Sequence, residues 1–201
     1  YTARFTVAGG DADGEVTFSV SYMDLGSIAS AVTTASTEVN AQAVLVDNTP
    51  PQLTAVSIAS STSPVGPGGV ITLRFNASEA LQAPLAVSIE GHTVAATCDA
   101  ALACVATYTV NATVDTEGGV SFSIGFSDLA GNAGTAVSAV TDGSSVSIDL
   151  SAPTLTVVSM TSNNGGDTSL AKAGDTITVT ITASEAIAAP SVTVAGGAAA
   201  V

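Results

Sequence analysis

The sequence predicts an all-β protein of two-sheet sandwich repeats, with one complete central domain flanked by two complementary half-domains. Two kinds of observation carry this. First, the chain repeats itself: Asp47 to Thr54 (DNTPPQLT) returns as Asp149 to Thr156 (DLSAPTLT), an offset of 102 from Pro51 to Pro153. Residues 16–25 match 120–129 at an offset of 104, and residues 71–80 match 177–186 at 106. Self-similarity at such a period marks a modular array. Second, apolar and polar residues alternate wherever the copies match, which is the period of a half-buried strand. Composition agrees, since the 4% aromatic, 10% charged mixture rich in Ala, Val, Thr, Ser and Gly suits strands better than helices.

Residues 1–48 read as the second half of a repeat, 49–150 as a whole one and 151–201 as a first half. In the first segment Val16, Phe18, Val20 and Tyr22 share one strand face. In the central repeat, strands are expected at 53–59, 71–76, 85–89, 106–110, 120–126, 135–140 and 146–149. Ile71, Leu73 and Phe75 point inward and Thr72, Arg74 and Asn76 outward; Val120, Phe122, Ile124 and Phe126 alternate with Ser and Gly. Ile177, Val179 and Ile181 keep that phase in the last segment. Gly and Pro clusters at 64–69, 116–119, 130–134 and 163–166 supply the turns. Such short, closely spaced strands argue for a sandwich. The junctions Asn48–Pro51 and Ser151–Pro153 should be stiff, because Pro fixes φ and removes a donor.

The order of these motifs, with Leu-Thr-x-Val-Ser, Gly174-Asp-Thr-Ile-Thr-Val179, Ala-Ser-Glu-Ala, Val-x-Phe-Ser-Ile and Asp128-Leu-Ala-Gly-Asn132, resembles the bacterial-type immunoglobulin-like repeats of large extracellular surface adhesins and fibres. The resemblance implies Ig-like sandwiches, an extracellular or cell-surface location and a role as stalk, spacer or fibre. Asp24-Leu-Gly-Ser-Ile28 departs from the Asp-Leu-Ala-Gly-Asn turn, which predicts a differently shaped loop there.

Three basic residues against seventeen acidic ones leave a net charge of −14, which repels nucleic acid and anionic membrane faces. Ser and Thr interrupt every apolar stretch short of the ~18 residues of a spanning helix, so no membrane insertion is expected. Tyr1 in place of an initiator Met reads as a processed or excerpted segment. Cys98 and Cys104 are the only cysteines, six apart across an apparent hairpin tip. A disulfide there implies an oxidising compartment, and two free thiols are the other reading.

No enzyme is expected. His92 is the only histidine and reads as a solvated turn residue, and no Gly-rich segment carries the Lys of a phosphate loop. Two carboxylate groupings suit calcium, a hard cation that takes oxygen ligands. One is Asp11-Ala-Asp13-Gly-Glu15; the other is a junction site in which Asp47 or Asp149 joins Glu79, Glu185, Asp24 or Asp128. The competing reading makes Asp24 and Asp128 turn-formers that bond local backbone. Asn76 and Asn111 head sequons on outward strand positions, so covalent glycans are compatible with the core.

Aligning the repeats puts Val201 opposite Ala96 and Tyr1 opposite Cys104, so the two end segments lack between them only the counterparts of 97–103. Half a sandwich exposes apolar surface and unpaired strand edges, which invites another chain. The expected function is therefore a structural subunit of an extracellular filament or surface stalk. Its partner is itself, joined head-to-tail by half-domain complementation or as one long polypeptide. The alternative is a calcium-dependent adhesin module for a cell-surface or carbohydrate partner, and outside it no cofactor is expected.

Overall fold

The computed structural model describes residues 1–34 and 43–201; residues 35–42 of the first half-repeat lie outside the described residues. The fold is all-β, and among the described residues no helix is long and apolar enough to cross a membrane. The chain forms two compact units, Tyr1–Asp149 and Leu150–Val201.

In the first unit, the first half-repeat contributes β1 (Gly14–Glu15), β2 (Ser19–Val20), β3 (Thr33–Thr34) and β4 (Leu45–Val46). The central repeat follows with β5 (Leu53–Ser60), β6 (Val70–Ala77), β7 (Ala86–Ile89), β8 (His92–Val94), β9 (Ala96–Cys98), β10 (Ala103–Thr109), β11 (Gly118–Gly119), β12 (Phe122–Gly125) and β13 (Ser147–Ile148). One antiparallel sheet has the order β5-β6-β10-β9 and a second the order β12-β7-β8, with β11 paired to β13. Val56, Ile58, Ile71, Leu73 and Phe75 of the first sheet and Val87, Ile89, Phe122 and Ile124 of the second are buried together with Val65, Val146 and Ile148, a sandwich-like core. The alternation seen in the sequence is what puts these side chains on the inner faces.

Two expectations need correction. Segment 135–140 is not a strand; only Val137 exchanges both backbone bonds with Ile124, at 2.8 and 3.0 Å. The hairpin β7-β8 was not expected; Glu90 and Gly91, at φ 50 and 75°, form its two-residue turn, the backbone a tight hairpin demands.

The second unit contains β14 (Leu155–Ser162) and β15 (Ile177–Ala183), paired with each other, and β16 (Thr193–Val194) paired with β17 (Gly197–Ala198). These repeat the central pairings outside the start of the first ladder. Met160 faces Val179 as Ile58 faces Leu73, and each ladder has a register shift near its start, between Leu155 and Val157 here and between Thr54 and Ser57 in the centre. Ala195 and Gly196, at φ 49 and 78°, copy the Glu90-Gly91 turn. The first half-repeat likewise copies the second half of the centre: β1 pairs with β4 as β11 with β13, Val20 with Thr33 as Ile124 with Val137, and Met23 with Ala29 as Ser127 with Ala133.

Local pairing is thus repeated, but burial is not. Val56, Ile58, Ile71, Phe122 and Ile124 are at most 9% exposed, whereas their counterparts Val158, Met160, Ile177, Phe18 and Val20 are between 42 and 66% exposed. In the centre, β6 pairs with β10 and β7 with β12, joining the first half of the repeat to the second. Among the described residues, neither end segment makes such a ladder within its own unit.

Cys98 and Cys104 are directly opposed on β9 and β10 and form a disulfide. At the tip, Asp99 Oδ1 accepts from the amides of Ala101 and Ala103 at 2.8 and 3.0 Å. Closing so short a loop stabilises a fold by about 2 kcal/mol, chiefly by restricting the unfolded chain. Urea titration of the Cys98→Ser/Cys104→Ser chain should show a loss of that size with little change in slope.

Candidate functional site

The acidic junction comes together at one end of the central repeat. Asp47 lies in the linker just before Pro50 and Pro51, Glu79 follows β6 and Asp128 opens the turn after β12, with Leu81 bridged to Asp128. One carboxylate oxygen from each of Asp47, Glu79 and Asp128 lies within 4.8 Å of the other two.

Asp128 is 1% exposed and fully bonded. Its Oδ1 accepts from the amides of Gly131 and Asn132 at 2.7 and 2.8 Å, and its Oδ2 accepts from Asn132 Nδ2 at 2.8 Å. Burial works to raise this carboxyl, but the Asn132, Gly131 and Ala130 donors outweigh it and hold the group below its ordinary range. Glu79 behaves oppositely. Desolvation, then the charges of Asp47, Asp128 and Asp13, push its carboxyl up. A half-buried carboxylate beside other anions relaxes by taking a proton or a cation.

The turn reading and the junction reading therefore both apply to Asp128. Asn132 Nδ2 also donates to the Asp47 carbonyl at 2.9 Å, clamping the turn to the linker. In the first half-repeat Asp24 Oδ1 accepts from the amides of Gly26 and Ile28 at 2.9 and 2.8 Å. The backbone bonds Asp24 N to Ile28 O and Ser27 N to Asp24 O match Asp128 N to Asn132 O and Gly131 N to Asp128 O. The expected difference in loop shape is thus corrected: Ser27 at φ 66° stands in for Gly131 at 98°, and what Ile28 loses is the side-chain clamp.

Asp11, Asp13 and Glu15 are used otherwise. Asp11 Oδ2 accepts from the Ala8 amide at 2.8 Å, and Glu15 lies on β1 opposite Leu45. Asp13 holds the linker through the Thr49 hydroxyl and the Asn48 amide at 2.7 Å; these bonds lower its carboxyl. Asp149 closes the first unit, its amide donating to the Val65 carbonyl at 3.0 Å. Glu185 follows β15 in the second unit. Three carboxylates are hard oxygen ligands suited to calcium, which takes six to eight oxygens, so water would complete the shell.

His92 directly follows the Glu90-Gly91 turn with its side chain 40% exposed, and one face of it is packed. Its ring stacks on Tyr108 at 5.1 Å and 6°, and its Nε2 lies 3.1 Å from Asp115 Oδ1. The Tyr108 hydroxyl donates to the same oxygen at 2.7 Å, and the Asn111 amide to Asp115 Oδ2 at 2.7 Å. Burial pushes the Asp115 carboxyl up, but the Asn111 and Tyr108 bonds and the His92 charge pull it below the usual range. Tyr108 is pushed up to about 12, first by burial and then by Asp115. The sequence carried no signal for this cluster, because the repeat does not preserve it: Phe5 stands at the Tyr108 position and Gly197 at that of His92.

A phenol with a raised pKa stabilises the fold below its unfolded value near 10 and loses that contribution as pH rises through its folded value. The central repeat should therefore lose roughly 2 kcal/mol between pH 10 and 12 through Tyr108. Urea midpoints measured across that window should fall in the native chain and fall less in Tyr108→Phe.

Asn76 and Asn111 are both exposed. Asn76 lies on the outer face of β6, whereas Asn111 Oδ1 accepts from the amide and hydroxyl of Thr113 at 3.0 and 2.8 Å. No family model, curated protein or solved structure matches the chain.

Proposed function

We propose that this chain is a structural subunit of an extracellular filament or surface stalk, in which the first half-repeat of one copy and the last half-repeat of another close into an Ig-like sandwich. One observation carries the reading. Both end segments keep the strand pairings of the central repeat while exposing the apolar face that the centre buries. Each such side chain gains about 1.5–3 kcal/mol when buried, so a complementary half has much to bind. The disulfide fits an oxidising compartment, and the exposed Asn76 and Asn111 can carry glycan where the source attaches it.

Sedimentation of the purified 201-residue chain over a wide concentration range, with negative-stain imaging, tests this. Mass should grow with concentration and threads should show two sandwiches per copy. A monomer at every concentration overturns the reading.

The convergence of Asp47, Glu79 and Asp128 favours a second reading, a calcium-dependent module. Calcium that binds the folded state alone stabilises it by about 2.7 kcal/mol at a hundred times its dissociation constant. Thermal melts should then rise with calcium in the native chain and not in Glu79→Gln. An unchanged native melt removes this reading and leaves the filament intact.

A further inference from the structure

We propose a specific register for the contact between copies: residues 1–7 of a second copy add as a strand beside β15, and residues 18–21 of that copy add beside β16. This rests on the filament reading and deepens it by naming the strands that meet.

The central repeat supplies the template. There β10 runs antiparallel to β6 with Cys104 opposite Phe75, Val105 opposite Arg74, Ala106 opposite Leu73 and Tyr108 opposite Ile71. The inward residues Cys104, Ala106 and Val110 of that segment are buried. Residues 1–7 (YTARFTV) carry the pattern of 104–110 (CVATYTV), with Ala, Thr and Val identical at three positions and Phe5 for Tyr108. They form no strand in the first unit, and Tyr1, Phe5 and Val7 are exposed.

The receiving surface is equally open. β15 is paired on one edge only, with β14. Its inner face, with Val192 and Val194, lines an open groove of about 290 Å³ walled by Ile177, Val179 and Ile181. These are the counterparts of Ile71, Leu73 and Phe75, which the central repeat covers with its own second half.

Transposing the template gives Tyr1 opposite Ile181, Thr2 opposite Thr180, Ala3 opposite Val179 and Phe5 opposite Ile177. The β7-β12 ladder transposes to Phe18 opposite Val194 and Val20 opposite Val192. A slip of one residue turns every inward side chain out, so the apolar phase of 1–7 and 177–181 pins the alignment. The occupant is a second copy because this one sequence carries both sides of the template ladder, in residues 1–7 and in β15, and leaves Tyr1, Phe5, Val7 and Ile177 exposed.

Thr2 and Thr180 correspond to the outward Val105 and Arg74, which makes them a mild place for a cross-link. Chains carrying Thr2→Cys and Thr180→Cys separately should, when mixed and oxidised, give a disulfide-linked pair. The yield should be at least tenfold above Thr2→Cys with Thr182→Cys, two residues along on the same face. Equal yields, or assembly with no cross-link at either position, overturn the register and leave the filament standing. A chain carrying both Thr2→Cys and Thr180→Cys that closes on itself as a monomer overturns the second copy as occupant. Absence of any assembly in sedimentation of the native chain removes both readings.

Discussion

Ile71→Ala lowers the stability of the central repeat by about 2–5 kcal/mol, the range for truncating a buried isoleucine and leaving a cavity, because Ile71 is 0% exposed. Ile177→Ala is the same substitution at the repeat-equivalent position, where the side chain is exposed. In dilute chain it should cost less than about 1 kcal/mol, since surface truncations usually change little. In the assembly proposed above Ile177 would become a core residue, as its counterpart Ile71 is in the central repeat. A loss of about 2 kcal/mol there weakens association roughly thirtyfold, so the concentration at which mass begins to grow should rise by that factor. Urea titration reads the first quantity and sedimentation the second. Equal and large losses in dilute chain at both positions would mean that the second unit already buries this face.

Asp128→Ala should cost the first unit about 3 kcal/mol or more. It removes the carboxylate acceptor of the Gly131 and Asn132 amides and of the Asn132 side chain, and bonds to a charged acceptor are each worth about 1.5–3 kcal/mol. Asp128→Asn retains an acceptor for the two amides and should lose less. Because the Asp128 charge helps to raise the Glu79 carboxyl, Glu79 should titrate closer to its ordinary value in both variants, a shift that carbon-detected NMR reads directly. As the Asp128 carboxyl is itself depressed, its contribution is complete above the unfolded aspartate value near 4 and disappears as pH falls through the folded one.

The strands that were legible in advance are those with strict alternation on one buried face. Ile71, Leu73 and Phe75 announce β6 because a period of two has only one way to face a core. Segment 135–140 carried a similar pattern, yet one bridge at Val137 satisfies it, and nothing in six residues reveals how many partners a strand will find. His92–Val94 was not among the expected strands because its apolar residues are few, whereas Ala96–Cys98, in the other sheet, is the arm of the hairpin expected at Cys98 and Cys104. Asp128 was legible as a turn residue from its local sequence. Its convergence with Asp47 and Glu79 is one of the junction combinations the sequence offered, and which of them forms depends on three chain-distant segments meeting. The grip of Asn132 on the Asp47 carbonyl, 85 residues away, has the same origin and left no trace in the local pattern.

That grip bears on the mechanics of a filament. The turn residue Asn132 fastens its sandwich to the linker ahead of it, whereas the corresponding Ile28 brings no donor to do so. In the assembly proposed above, joints with and without this tether alternate along the axis. Bending under flow or load then concentrates at every second joint, and Ile28→Asn is the single exchange that would even out the compliance.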